Sequence, residues 1–184
     1  PRARKPRKNL IKILQPPAPD TPAAADTATQ AAAASATDAQ QLANDVAAAM
    51  WSRDHATQAL GMAIAAIAPG SATLTMPVRQ DMLNGHGICH GGFMFTLADS
   101  AFAYACNSHN RNTVASACAI DFLAPARLGD VLEAEAVERS RSGRTGVYDI
   151  TVKVRGGKTV ALFRGKSYRI DGEVIAGLAA ARTV

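Results

Sequence analysis

One continuous apolar run dominates the hydrophobic pattern of this chain. Between Phe93 and Cys106, apolar residues fall on nearly every face of a hypothetical helix. A helix that is apolar all round either spans a membrane or lies at the centre of a globular fold. A bilayer requires about 20 apolar residues, which is more than this run supplies. The pattern therefore predicts a buried central helix.

Shorter apolar runs on both sides of this helix predict β-strands. Two come before it, Met62–Ala68 and Ala72–Val78, and the Pro69-Gly70-Ser71 turn joins them. Polar and glycine-rich breaks separate four further strands: Val114–Leu123, Asp130–Ser140, Thr145–Arg155 and Lys158–Asp171. One long helix with a run of antiparallel strands predicts an α+β fold, in which the sheet wraps around the helix.

The amino-terminal part of the chain has a different composition. Residues 1–16 carry six basic residues and no acid, and a Pro/Ala/Thr tract follows. Few large apolar residues are available there to offset the entropy of ordering the chain. We therefore expect residues 1–37 to be a disordered extension and residues 38–184 to be one domain. That domain begins with a helix over about Ala39–Leu60.

The basic head accounts for the formal net charge of +5, because 14 basic and 15 acidic residues remain outside it. We therefore expect no nucleic-acid partner, and the lack of a long apolar segment predicts no membrane partner either. Three cysteines without a C-x-x-C pair indicate a reducing compartment, so we expect a cytoplasmic protein.

The central helix carries candidate chemistry at its start and along one face. Thr96, Asp99 and Ser100 share a face, and Asp99 is the only charged residue in the predicted helix. Burial would raise the pKa of Asp99 towards that of a useful base. Gly91 and Gly92 leave backbone N–H groups unshielded at the positive end of the helix dipole, where an oxyanion can bind. The pattern favours acyl transfer or enolate chemistry, the alternative being a glycine-rich helix entry and a loop-capping aspartate.

The spacing of these groups carries a prediction about assembly. Gly91 and Asp99 lie about 12 Å apart along one helix, which is too far for both to contact one carbonyl. If both act on the same carbonyl, each must come from a different copy of the chain. Two antiparallel helices about a two-fold axis would meet this requirement, so we predict at least a homodimer.

Several other polar residues near the helix are weaker candidates. Asn84 is either a turn former in an Asn-Gly pair or a group that orients water or the substrate carbonyl. His90 is a structural or substrate-orienting residue at the helix start, and Ser116 could contact Asp99. We count His90, Gly92 and Ser116 as candidate substrate contacts.

No metal site is expected at the helix entry. His86, Cys89 and His90 have a spacing that matches no closed zinc pattern, and no second ligand pair occurs elsewhere. Asp81 and His86 have the spacing of a hydratase dyad, but the positions that should hold Asn and Pro are Leu83 and Gly85. Arg141, Arg144, Arg164 and Lys166 are interpreted as solvated surface charges.

A family resemblance covers roughly residues 45–175. The run NGHGICHGGFMFTLADSAFAYACN, with SACAIDFLAPARLGD, TGVYDI and KTVALFRGKSYRI downstream, resembles the PaaI-type acyl-CoA thioesterases of phenylacetic acid degradation, which have the hotdog fold. The resemblance implies that Asp99 is the catalytic carboxylate, Gly91 the oxyanion donor and Asn84 a residue that holds the water or the carbonyl. Ser116 falls near the residue that supports the acid.

The same resemblance implies a reaction and a set of partners. The substrate would be an aryl-acetyl-CoA such as phenylacetyl-CoA, whose phosphates meet basic residues near the dimer edge. The family forms dimers with a continuous sheet and commonly homotetramers, and no cofactor is expected because coenzyme A is part of the substrate. Two alternatives stay open at this point, a hotdog-fold enoyl-CoA hydratase and a non-catalytic acyl-CoA-binding protein.

Overall fold

A computed structural model describes residues 23–178 of the chain. Helix α3 is central, and six strands form one sheet around it. A short 3-10 turn, Gln80–Met82, precedes the loop that leads into α3. The elements are α1 (Ala23–Trp51), α2 (His55–Ala59), β1 (Ala63–Ala68), β2 (Ser71–Pro77), α3 (Gly91–Asn107), β3 (Thr113–Phe122), β4 (Val131–Ser142), β5 (Thr145–Val154) and β6 (Thr159–Arg169).

The sheet has the strand order β1-β2-β4-β5-β6-β3, and every neighbouring pair is antiparallel. Strands β1 and β3 are its two edges. All six predicted strands are present, each within two residues of its predicted ends. Helix α3 packs against the sheet, and most of its residues are buried. The predicted α+β fold with a sheet wrapped around a central helix is therefore confirmed.

Small residues on the inner face of the sheet let α3 approach closely. Ala134 of β4 lies between Leu74 of β2 and Val152 of β5, and all three side chains are buried. At Gly165 of β6, the ring of Phe102 occupies the place of a side chain: an added Cβ would lie 2.8 Å from that ring. Interiors are close-packed, so these small positions determine how deep the helix sits.

The amino-terminal helix is longer than predicted at one end and shorter at the other. Helix α1 begins at Ala23, inside the segment for which we expected a disordered extension, and the alanine-rich sequence there has high helix propensity. It ends at Trp51, and a separate short helix follows. Residues 1–22 lie outside the described part, so the domain boundary at residue 38 stays a prediction. No helix within residues 23–178 is long and apolar enough to cross a membrane.

A hydrogen-bond network ties the short helix α2 to the central helix. The Asp54 carboxylate caps α2 by accepting from the backbone N–H of Thr57 at 3.0 Å. Tyr104 of α3 donates its hydroxyl to the same carboxylate at 3.1 Å. The Thr57 hydroxyl also lies 3.3 Å from that of Ser100, next to Asp99 in sequence. These bonds fix α2 beside the polar face of α3.

A second network anchors the other end of α3. The Glu138 carboxylate of β4 accepts from Tyr148 at 2.7 Å and from Arg141 at 3.2 Å, and it lies 3.2 Å from the ring of His109. These partners, His109 first, hold the pKa of Glu138 well below its ordinary value, at about 2. Ser108 reinforces the anchor, because its hydroxyl accepts from the N–H of Gly70 at 2.8 Å.

The Glu138 network predicts a component of stability that depends on pH. The folded pKa of Glu138 is depressed from 4.5 to about 2, so its contribution is present above pH 4.5 and disappears as the pH falls towards 2. The contribution amounts to at most about 3 kcal/mol. Glu138→Gln should therefore show a smaller loss of unfolding free energy than the wild type between these pH values, measured by urea denaturation.

Glu135→Gln is the matched control for this prediction. Glu135 lies on the same strand but is exposed, whereas Glu138 is half-buried among its partners. The control should follow the wild-type pH profile. If Glu138→Gln lost as much unfolding free energy as the wild type when the pH falls, the proposed contribution of the network would be wrong.

Candidate functional site

The start of helix α3 presents one free backbone donor. His90 is the N-cap residue, and its ring Nδ1 accepts the N–H of Gly92 at 2.9 Å. Gly91 is the first helical residue, and no group within residues 23–178 accepts its N–H. The positive end of the helix dipole adds to the field at this donor. A developing negative charge on an oxygen can therefore bind at Gly91.

The ring of Phe122, at the end of β3, lies directly against Gly91. An added Cβ at Gly91 would come within 2.8 Å of the ring, so a side chain at this position would displace the Phe122 ring. Phe122 is itself 52% exposed. An exposed apolar surface therefore flanks the free N–H group.

Asp99 lies two turns further along α3 and is half-buried. Burial raises the pKa of its carboxyl above the ordinary value, because the charged form loses hydration. No Lys, Arg or His in the described chain forms an ion pair with it. A carboxylate in these surroundings is suited to accept a proton or to attack a carbonyl.

The structure places Cys118, rather than Ser116, beside the acid. Cys118 Sγ lies 4.0 Å from Asp99 Oδ1, and burial followed by the Asp99 charge raises the pKa of the thiol. Ser116 instead donates its hydroxyl to the backbone carbonyl of Lys166 at 3.0 Å. The pairing of β3 with β6 is irregular between Ala115 and Ala117, so Ser116 falls in a bulge.

The side-chain oxygen of Asn84 shapes the loop before α3. It accepts from the backbone N–H of His86 at 2.9 Å and of Ile88 at 3.4 Å. These bonds are those of a turn former, the first of the two roles considered for Asn84. No acceptor within the described residues binds the Asn84 Nδ2 group. The oxygen is therefore occupied by the turn, and the amide N–H groups are left to donate to water or to a ligand.

The other reactive residues near the helix entry do not form a second site. Asp81 is exposed and pairs with Arg79 at 2.9 Å, and no hydrogen bond joins it to His86 within the described residues. Burial raises the pKa of the Cys89 thiol to about 11, which disfavours a nucleophilic role. Across residues 23–178, no group of three His, Cys, Asp or Glu side chains has the geometry to hold a metal ion.

Comparison with known proteins identifies the family. The thioesterase superfamily model matches residues 86–161. The acyl-coenzyme A thioesterase PaaI of Escherichia coli is 54% identical over 126 residues, which is 68% of this chain and 90% of that protein. This chain belongs to the thioesterase superfamily.

Solved structures support the same assignment. The structure of the E. coli PaaI protein from the phenylacetic acid degradation operon has a TM-score of 0.72 and 52% identity, over 73% of this chain and 97% of that one. The Streptococcus mutans protein smu.793 bound to acetyl CoA has a TM-score of 0.59 and 25% identity, over 61% and 90% of the two chains. The predicted hotdog fold and the resemblance to PaaI-type thioesterases are confirmed.

The N-cap role of His90 predicts the effect of replacing it. His90→Ala removes the acceptor of the Gly92 N–H and should lower the free energy of unfolding by about 1 kcal/mol. His90→Asn supplies a side-chain oxygen in place of the ring nitrogen as the cap acceptor and should retain most of the stability. Chemical denaturation measures both. The exposed residue His86 provides the control, and a loss as large in His86→Ala would contradict a specific cap.

Proposed function

We propose that this protein hydrolyses aryl-acetyl-CoA thioesters, such as phenylacetyl-CoA, to the free acid and coenzyme A. The observation that carries the proposal is the pair formed by the free N–H at Gly91 and the unpaired, half-buried carboxylate of Asp99. One group stabilises an oxyanion, and the other activates water or attacks the carbonyl. Acyl transfer needs both.

The reaction proceeds by addition and elimination at the thioester carbonyl. Asp99 takes a proton from water while the oxygen adds to the carbonyl carbon, or its carboxylate attacks the carbon to form an anhydride that water then cleaves. The carbonyl oxygen becomes an oxyanion and binds the N–H of Gly91. On the general-base route the C–S bond then breaks, and the thiolate of coenzyme A takes up the proton held by Asp99. On the anhydride route the thiolate leaves as the anhydride forms, and it takes up a proton released when water cleaves the anhydride. The Asn84 Nδ2 group orients the water or the carbonyl, and the reaction needs no cofactor.

The aryl-acetyl preference is supported by the surroundings of Gly91 and by the relatives. Phe122 and Phe93 present partly exposed rings near the helix start. The 54% identical relative is named an acyl-coenzyme A thioesterase, and its structure comes from a phenylacetic acid degradation operon. An aromatic acyl group packs well against aromatic side chains. Three unpaired cysteines, Cys89, Cys106 and Cys118, support a reducing cytoplasmic location.

The active unit is a homodimer in which each site uses two chains. Strand β3 is a sheet edge with mostly exposed residues, including Val114 at 46%, and an open edge of this kind pairs readily with another strand. On α3 the strip of Gly92, Thr96, Asp99 and Ala103 is also left partly uncovered. Pairing two β3 strands would continue the sheet and bring the two helices together antiparallel. Two such dimers would form the homotetramer.

Replacing Asp99 tests the chemistry directly. Asp99→Asn should lower the rate of thiol release from phenylacetyl-CoA by roughly 10³-fold or more, because the amide neither accepts the proton nor attacks. In the wild type, kcat should decrease as the pH falls through the raised pKa of Asp99, since only the carboxylate form is active. Asp45→Asn, an exposed residue of α1, is the control and should keep wild-type activity.

Each alternative has its own outcome in this experiment. Release of thiol that survives Asp99→Asn would remove Asp99 from the mechanism. Binding of phenylacetyl-CoA by the wild type without any release would instead indicate an acyl-CoA-binding protein, and hydration of crotonyl-CoA would indicate a hydratase.

The shared site predicts complementation between two inactive variants. Gly91→Pro removes the N–H at a helix position that tolerates proline, and His90 already has the extended conformation that proline requires before it. Gly91→Ala adds a similar Cβ beside Phe122 but keeps the donor, so the difference between the two isolates the N–H. Gly91→Pro should be about 10²-fold slower than Gly91→Ala.

A chain with Gly91→Pro and a chain with Asp99→Asn are then co-expressed with different affinity tags and purified through both. In the heterodimer one site combines an intact Gly91 with an intact Asp99 of the partner subunit, so about half of the wild-type rate should return. If both groups of a site came from one chain, the heterodimer would stay inactive.

A further inference from the structure

A cleft rich in arginine lies at the end of α3 opposite to Gly91. Its walls come from the chain between α3 and β3, the β4–β5 turn and the end of β6. Four arginines line it: Arg111, Arg141, Arg144 and Arg169. Thr145 and Ser167 add hydroxyl groups. The cleft therefore offers many hydrogen-bond donors in a small space.

The topology of the sheet brings these arginines together from distant parts of the sequence. Arg169 is the register partner of Thr113, two residues after Arg111. Its backbone N–H also donates to the carbonyl of Arg144 at 2.7 Å, in the turn after β4. Arg111, Arg141 and Arg169 are half-buried and not spread over open surface. The arrangement is therefore held by the backbone pairing of three strands.

Positive charge exceeds negative charge in the cleft. Arg141 pairs with Glu138 at 3.2 Å and Arg144 with Asp171 at 2.8 Å, whereas Arg111 and Arg169 have no carboxylate partner among residues 23–178. Glu138 is also shared with His109 and Tyr148. Burial, followed by the charges of Arg141 and Arg169, lowers the pKa of Arg111. The cluster is thus under repulsion that a bound anion would relieve.

We propose that this cleft binds a phosphate group, with Arg111 and Arg169 as its principal ligands, and that the phosphate belongs to the coenzyme A part of the substrate. The guanidinium fork matches the oxygens of a phosphate and bonds to them in pairs. A free phosphate compound has the same chemistry, so the experiments below distinguish the two sources.

The position of the cleft relative to Asp99 supports a substrate phosphate. Cys106 lines the cleft and lies seven residues after Asp99 on α3, about 10 Å along the helix axis. A substrate whose thioester is at Asp99 would have to span this distance for its phosphate to reach the arginines. This assignment of the phosphate rests on the proposed function, whereas the binding of phosphate by the cleft does not.

The first experiment measures binding without catalysis. Isothermal titration with adenosine 3′,5′-bisphosphate, and separately with inorganic phosphate, compares the wild type with the Arg111→Ala/Arg169→Ala double variant. Each lost charge-assisted hydrogen bond should cost roughly 10-fold in affinity, so the double variant should bind the bisphosphate about 100-fold more weakly. Unchanged affinity would overturn the phosphate site, whether or not the protein proves to be a thioesterase.

Matched variants keep this result interpretable. Arg164→Ala also removes an arginine from β6, but Arg164 pairs with Asp149 at 2.7 Å outside the cleft, so its affinity for the bisphosphate should equal that of the wild type. Arg111→Lys/Arg169→Lys keeps the charge without the fork and should bind with intermediate affinity. An equal loss in Arg164→Ala would show a general charge effect and would overturn the site.

The second experiment distinguishes the source of the phosphate. The double variant should raise KM for phenylacetyl-CoA by at least about 10-fold with little change in kcat, because the phosphate contact is remote from the carbonyl. Hydrolysis of phenylacetyl-pantetheine, which has no phosphate, should be the same in the double variant and the wild type. Weaker bisphosphate binding with an unchanged KM for phenylacetyl-CoA would overturn the assignment to the substrate.

Discussion

The close packing of α3 against the sheet is the constraint on which the rest of this structure depends. The helix is apolar on nearly every face, so it must be covered, and the sheet covers it only where its own residues are small. Ala134 and Gly165 provide that space, and Phe102 fills the gap at Gly165. Because interiors tolerate few voids and little overlap, this packing fixes the height and direction of the helix, and with them the positions of Gly91 and Asp99.

The same packing leaves one strip of the helix uncovered, and the candidate chemistry lies on that strip. Asp99 is buried enough for its pKa to rise, yet it is not enclosed by its own chain. An edge strand rich in apolar residues runs alongside at β3. A second copy of the chain would satisfy both features at once, because it would cover the strip and pair the open edge.

The two ends of helix α3 have different surroundings, which suits a long substrate with a thioester at one end and phosphates at the other. The Glu138 network neutralises part of the positive charge near the end of α3 and holds the fold there. Arg111 and Arg169 remain without carboxylate partners within residues 23–178, on the side away from Gly91. At Gly91 an aromatic side chain, Phe122, packs instead. The thioester and the phosphates would thus meet different environments.

The sequence by itself determined the central helix, the six strands and the family, because local periodicity and one compact motif carry that information, and it put forward Gly91 and Asp99 as the candidate chemical pair. It did not indicate that a bulge in β3 directs Ser116 to the backbone of Lys166 and leaves Cys118 beside Asp99. A bulge depends on how two strands pair, and the sequence of one strand alone does not specify that pairing. The arginine cleft likewise arises only from tertiary structure, since strand register brings together residues that are far apart in the chain.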